Sequence, residues 1–178
     1  MPGGRDIPYH KKFTGKINHE IKQFVEVGGS YLGICAGGYY GAASIAFDQG
    51  GPLEVVGERE LSFFPGIAIG PAYTDKRFVY ASEEGARIAK LSYKDRIVDN
   101  YFNGGCYFQD ADHYESVEVI ARYAELPTSP AAIVKCSVGK GVALLIGTHP
   151  EHPIDRNDKE RAAFFGELLI LVRRAGSH

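Results

Sequence analysis

Apolar residues recur along this chain at two spacings, and the spacing changes from segment to segment. Ile17, Ile21, Phe24 and Val25 fall on one helical face, and the run from Ile17 to Val27 ends at Gly28-Gly29, a helix stop. A short apolar strand, Tyr31 to Cys35, follows, and the small residues from about Gly37 to Phe47 predict a second helix. Glu58 to Phe64 and Ala86 to Tyr93 read as strands, the latter alternating Ile88 and Lys90 against Ala89 and Leu91. Arg96 to Phe102 predicts another, closing on the turn Asn103-Gly104-Gly105. Val117, Val119, Ala121 and Tyr123 alternate as a half-buried strand should. Ala131 to Cys136 and Val142 to Gly147 flank Ser137-Val138-Gly139-Lys140-Gly141, a hairpin signal. Asp158 to Ala175 predicts a last helix, with Ala162, Phe165, Leu168, Leu169 and Val172 toward the core. Helix-flanked strands mixed with hairpins fit an α/β sandwich whose sheet holds both parallel and antiparallel pairs.

The 178 residues, 44% of them hydrophobic, are enough for one globular domain spanning 1–178, with no repeat and no Pro/Ser-rich linker. Twenty basic against 22 acidic residues leave a charge of −2, and no Lys/Arg run exceeds two, which argues against nucleic acid as a partner. The longest apolar runs, Val142 to Ile146 and Leu168 to Val172, are far too short to cross a bilayer, so no membrane partner is expected. Three cysteines, Cys35, Cys106 and Cys136, are sparse and lack metal-ligand spacing, which predicts a reducing, cytoplasmic setting. No cofactor motif stands out.

The chemistry concentrates at two distant places. Gly33-Ile34-Cys35-Ala36-Gly37 sets a nucleophile between glycines at a strand end, the sequence form of a nucleophile elbow. A helix starting there points its amino end at the sulfur and favours thiolate. Far along the chain, Thr148-His149-Pro150-Glu151 follows an apolar strand and offers a base and a carboxylate. In an extended segment His149 and Glu151 project to one side, as an imidazole and its orienting carboxylate must. An oxyanion hole needs backbone N–H donors near the sulfur, and the candidates are Ala36 with Gly3 or Gly4.

Plainer readings stand beside these. A cysteine ending a core strand is ordinarily packing, although packing does not require glycine on both sides. His10, His19, His113, His152 and His178 carry no patterned partner and read as surface residues, while Cys106 and Cys136 read as structural. Asp110-Ala111-Asp112-His113 is a solvated acidic loop rather than a metal site, and Gly139-Lys140-Gly141 lacks the spacing of a phosphate loop.

The Cys35 and His149 segments together resemble the class I glutamine amidotransferase superfamily. More narrowly, several segments resemble the amino-terminal domain of biotin–protein ligases: Pro2-Gly-Gly-Arg-Asp6 with Pro8-Tyr9, Gly29 to Tyr40, Arg59 to Gly66, Gly70-Pro-Ala-Tyr73, Tyr101 to Gly105 and Pro130-Ala-Ala132. The resemblance implies a three-layer αβα sandwich with a mixed, mostly parallel, flavodoxin-like sheet that lacks its usual first strands. It implies Cys35 as nucleophile, His149 as base, Glu151 as its carboxylate and Gly3 and Gly4 on the oxyanion side. Asn103, Gly104 and Gly105 would wall the substrate pocket. The implied activity is that of a cysteine hydrolase on a small-molecule amide. The alternative is a non-catalytic ligand-binding or regulatory module. Relatives carry residues ahead of the Pro-Gly-Gly turn, so either a truncated gene or missing strands supplied by a partner or second copy is expected. No biotinyl-adenylate loop is found, so biotin transfer by this chain alone is not expected.

Overall fold

The computed structural model describes residues 1–75, 78–155 and 158–173. Its elements run α1 (Asp6–Phe13), α2 (Lys16–Glu26), β1 (Ser30–Ile34), α3 (Ala36–Tyr40), β2 (Ala42–Phe47), β3 (Val55–Glu58) and β4 (Phe64–Gly70). Then come β5 (Arg87–Tyr93), β6 (Arg96–Phe102), β7 (Tyr107–Phe108), a 3-10 turn (Ala111–His113), β8 (Val117–Tyr123), β9 (Ala131–Val138), β10 (Gly141–Ile146) and α4 (Lys159–Leu171).

All ten strands join one open sheet, in the order β3-β2-β4-β7-β9-β8-β5-β6, with β10 paired to β9 and β1 to β10. The sheet is mixed, but most of its pairs are antiparallel, which corrects the mostly parallel sheet implied above. Only β1 with β10 and β2 with β4 run parallel among the described residues. The reason is connection length. β5 turns into β6, and β9 into β10, through two residues each, and so short a link permits only antiparallel neighbours.

Strands β9 and β10 are buried along most of their length because both faces are covered. On one face Ala143, Leu145, Val134 and Cys136 pack with Tyr31 and with Val25 of α2. On the other, Leu144, Ile146 and Ile133 pack with Phe164 and Leu168 of α4. The outer strands β5 and β6 bury only alternate residues, as their sequence alternation predicts.

Several predicted elements shift. The helix expected from Gly37 to Phe47 stops after one turn at Tyr40, and Ala42–Phe47 forms β2 between β3 and β4. A short apolar run fits either element, and here two flanking strands claim its backbone. The strand expected from Glu58 to Phe64 divides into the end of β3 and the start of β4, with Arg59 turned inward to pair with Asp6. Helix α1 had no clear periodic signal. Helix α2 is rotated from its predicted face: Val25 is buried, but Ile17 and Phe24 are exposed, and the polar Asn18 is buried instead. Asn18 Nδ2 donates to Tyr40 Oη and to Glu60 Oε2, each at 2.7 Å, and that tie sets the rotation. Helix α4 is capped by Asp158, whose Oδ1 accepts from the Arg161 amide at 3.1 Å. It buries Phe164 and Leu168, whereas Ala162 and Leu169 lie exposed; Ala175 lies outside the described residues.

Candidate active site

Parallel pairing of β1 with β10 brings two distant segments to one end of the sheet. Ile34 is the register partner of Ile146, so Cys35 emerges where the chain leaves β10 toward His149. The Cys35 amide donates to Ile146 O at 2.8 Å and locks the two strand ends together. Cys35 itself has φ 49° and ψ −105°, left-handed backbone that a side-chain-bearing residue adopts only under constraint. The glycine-framed turn is therefore sharp, and Ala36 opens α3 with an amide that has no partner inside that helix. At five residues α3 is a single turn, so it contributes less field at the sulfur than the longer helix expected.

His149 is held from both sides. Its amide donates to Tyr101 O at 2.8 Å in an isolated antiparallel bridge, and its Nδ1 lies 2.7 Å from Glu151 Oε1. Burial alone would disfavour the imidazolium, but the Cys35 side chain beside the ring and the hydrogen bond and charge of Glu151 outweigh it and raise His149 from 6.5 to about 10. The ring that faces the sulfur thus holds its proton at neutral pH.

The amino-terminal turn forms the third side. Met1 lies along the edge of β1 opposite β10: its ammonium donates to Leu32 O at 2.5 Å, and its carbonyl accepts from the Ile34 amide at 3.0 Å. Two residues on, Gly3 therefore arrives level with Cys35. A Cβ there would sit 2.5 Å from His149 Cε1 and 3.5 Å from Cys35 Cβ, so only glycine fits without a shift. Gly4 follows at φ +122°, a conformation open to glycine. The turn is anchored from below, where Arg59, 5% exposed, contacts Asp6 Oδ2 through Nε at 2.8 Å and through its terminal nitrogen at 2.7 Å.

A small cleft, with free space of about 30 Å³, opens beside the sulfur, lined by Gly4, Ala36, Asn103 and Gly104 together with aromatic side chains from α3, β2 and the segment before β5. Asn103 and Gly104 both line this cleft, and Asn103 Nδ2 donates to Ser82 O at 2.9 Å. Gly105 does not line the cleft; its carbonyl accepts from the Ala72 amide. Sequence reasoning missed Arg5, Tyr39, Phe47, Phe78 and Tyr80, which share that wall. The only sequence signal for these was the Tyr101 to Gly105 segment, already tied to the pocket. His152 is exposed, as expected of it, and its ring stacks on Tyr101 with centroids 4.2 Å apart. Among the described residues no group of three or more His, Cys, Asp or Glu side chains could hold a metal, and no helix is long and apolar enough to cross a membrane.

A profile of the family described as "Biotin-protein ligase, N terminal" matches residues 1–169. An uncharacterised protein of Chlamydia muridarum is 44% identical over 154 residues, covering 85% of this chain and 59% of that protein. A biotin–protein ligase of Schizosaccharomyces pombe is 41% identical over 191 aligned positions, covering 97% of this chain and 29% of the ligase. The chain therefore spans less than two thirds of either relative, and under a third of the ligase. Among solved structures, the β-galactosidase Gan42B of G. stearothermophilus overlaps 90% of this chain and 20% of its own at 17% identity and a TM-score of 0.47, too low to carry an argument.

Proposed function

Since the chain belongs to the biotin–protein ligase amino-terminal domain family, we propose that it is a glutamine amidotransferase-like domain that cleaves a small-molecule amide through Cys35, His149 and Glu151. The observation that carries this reading is the His149–Glu151 hydrogen bond set beside a Cys35 in strained backbone, with the His149 ring and Cys35 both flanking Gly3. The Cys35 sulfur attacks the carbonyl carbon, and the carbonyl oxygen gathers charge beside the amides of Ala36 and of Gly3 or Gly4. His149 gives its proton to the departing nitrogen as the carbon–nitrogen bond breaks, which leaves a thioester. Water, deprotonated by the same imidazole, then releases the acid and frees the sulfur. Glu151 stays ionised and keeps the ring in register. The opposed packing of α2 and α4 on the β1/β10 strands supports the three-layer arrangement for this part of the sheet.

The test uses p-nitrophenyl acetate as acyl donor. Wild-type protein is expected to carry an acetyl group on Cys35, seen by peptide mass spectrometry, with release of p-nitrophenol. Cys35→Ala abolishes both, and His149→Gln slows them by about 10²-fold or more. Equal background rates in all three proteins overturn the catalytic reading.

The family comparisons bear more directly on a second reading, in which the chain is a ligand-binding or regulatory module allied to a biotin-ligase catalytic region. In its favour, the matching ligase is more than three times the length this chain covers. Under this reading the cleft binds its ligand in Cys35→Ala as well as in wild type, with no turnover in either.

A further inference from the structure

The free space beside Cys35, about 30 Å³, is room for one or two waters. Sites that hold a whole small molecule measure roughly 300 Å³ or more, so the catalytic reading above requires a wall of this cleft to move. Most of the walls are fixed. The Met1 to Gly3 turn is bonded along β1, and the Cys35 amide is locked to Ile146 O. Tyr39 and Phe47 are buried on α3 and β2, and Tyr39 Oη donates to Gly104 O at 3.0 Å. The remaining wall is the segment 78–84, which supplies Phe78 and Tyr80 to the lining. It pairs with no strand, and the bond from the Ala86 amide to Glu83 O stays local. Side-chain contacts fasten it instead.

The fastenings fall into two groups. On the apolar side, Phe78 meets Phe47 edge-on with centroids 5.4 Å apart and Tyr80 at 5.0 Å. The Phe78 ring lies against Gly104, where a Cβ would stand 2.4 Å from Cε2, and the guanidinium carbon of Arg5 lies 3.9 Å above the Tyr80 ring. On the polar side, Asn103 Nδ2 donates to Ser82 O at 2.9 Å, and Tyr101 Oη donates to Glu83 Oε2 at 2.6 Å. The carbonyl of Tyr101 also accepts from the His149 amide at 2.8 Å, so the fastening of this segment and the placement of the base share one residue. We propose that residues 78–84 form a strap, latched by Glu83 on Tyr101, that lifts to admit an amide to Cys35 and closes over it. The strap rests on the catalytic reading for what enters, but not for the opening itself. Glu83 is exposed, so water replaces the latch bond when it breaks, and its net worth is that of one hydrogen bond rather than of a buried ion pair. So small a cost suits a wall that must open and reclose in each cycle.

The test measures alkylation of Cys35 by iodoacetamide and by the bulkier monobromobimane, located by peptide mass spectrometry, in wild type, Glu83→Ala, Tyr101→Phe and the double variant. Thiol ionisation cancels in the ratio of the two rates, which leaves access. The bimane-to-iodoacetamide ratio is expected to rise about fivefold in each single variant, the net worth of one hydrogen bond. It rises no further in the double variant, because both changes remove the same bond. A ratio unchanged in either single variant, or gains that add in the double variant, overturns the inference. So does a Cys35 that neither reagent reaches in any of the four proteins. Acetylation of wild type by p-nitrophenyl acetate, measured in parallel, decides the catalytic reading separately. A raised ratio in a protein that never acetylates overturns the catalytic reading and leaves the strap standing. Acetylation with an unmoved ratio overturns the strap and leaves the catalytic reading standing.

Discussion

Replacing Gly3 with alanine puts a Cβ 2.5 Å from His149 Cε1 and 3.3 Å from Nδ1. Ordinary contact begins at 3.4 Å, so either the turn or the ring must retreat by about 0.9 Å. The turn is the stiffer of the two. Tyr9 Oη donates to Pro2 O at 3.2 Å and to Gly3 O at 3.4 Å, and Met1 is bonded to β1 through both its ammonium and its carbonyl. The imidazole therefore yields, moving away from Gly3. If His149 transfers the proton as proposed, a displacement of about 1 Å there lowers the rate by about 10²-fold, while the buried core is untouched. The assay is the rate of Cys35 acetylation by p-nitrophenyl acetate, read alongside the urea unfolding midpoint. The expected result is a large loss of rate with a small change in midpoint. Gly3→Ala protein that acetylates at the wild-type rate, with His149 titrating as in wild type, refutes the reasoning.

Four further outcomes follow from the same structure. The ring protons of His149 should titrate near 10 by NMR, and Glu151→Gln should lower that midpoint by removing the carboxylate charge that favours the imidazolium. Because the folded-state value lies above 6.5, the stabilisation from protonated His149 is complete below about pH 6.5 and is lost as pH rises through about 10. The urea midpoint should therefore fall between about pH 6 and about pH 10.5, and fall less in His149→Gln. Arg59→Met leaves Asp6 buried without its cation and should lower unfolding free energy by about 3–5 kcal/mol, and adding Asp6→Asn should recover much of that. A single variant as stable as wild type would show that the pair does not anchor the turn. Phe164→Ala empties the slot beneath Tyr93, whose ring centroid is 4.9 Å away, and should destabilise by about 3–5 kcal/mol in the same assay. A loss below about 1 kcal/mol would mean that α4 does not depend on this residue for its docking.

Local chemistry alone made much of this protein readable. Alternation in Ala86 to Tyr93 and Arg96 to Phe102, and the Val138 to Gly141 turn, marked strands and hairpins because the period of two and the turn residues are properties of the segment itself. The glycines around Cys35 likewise announced a sharp turn, and the structure gives that residue left-handed backbone. Where the reading went astray, the deciding partner was distant. Ala42–Phe47 is a strand because β3 and β4 flank it, and α2 faces inward with Asn18 because Tyr40 and Glu60 await it. The aromatic wall is assembled from α3, β2 and the residues before β5, whose side chains meet only after folding.

The amino-acid sequence by itself determined which side chains were available for chemistry and which short segments could turn sharply, since both depend on residue type and nearest neighbours. Only the tertiary structure decided that most strand pairs run antiparallel and that β1 and β10 run parallel, carrying Cys35 and His149 to the same end of the sheet. It also decided that Gly3 closes the third side. The β1/β10 pairing and the placement of Gly3 depend on contacts between segments more than a hundred residues apart, set by burial on both faces of the sheet rather than by any local preference.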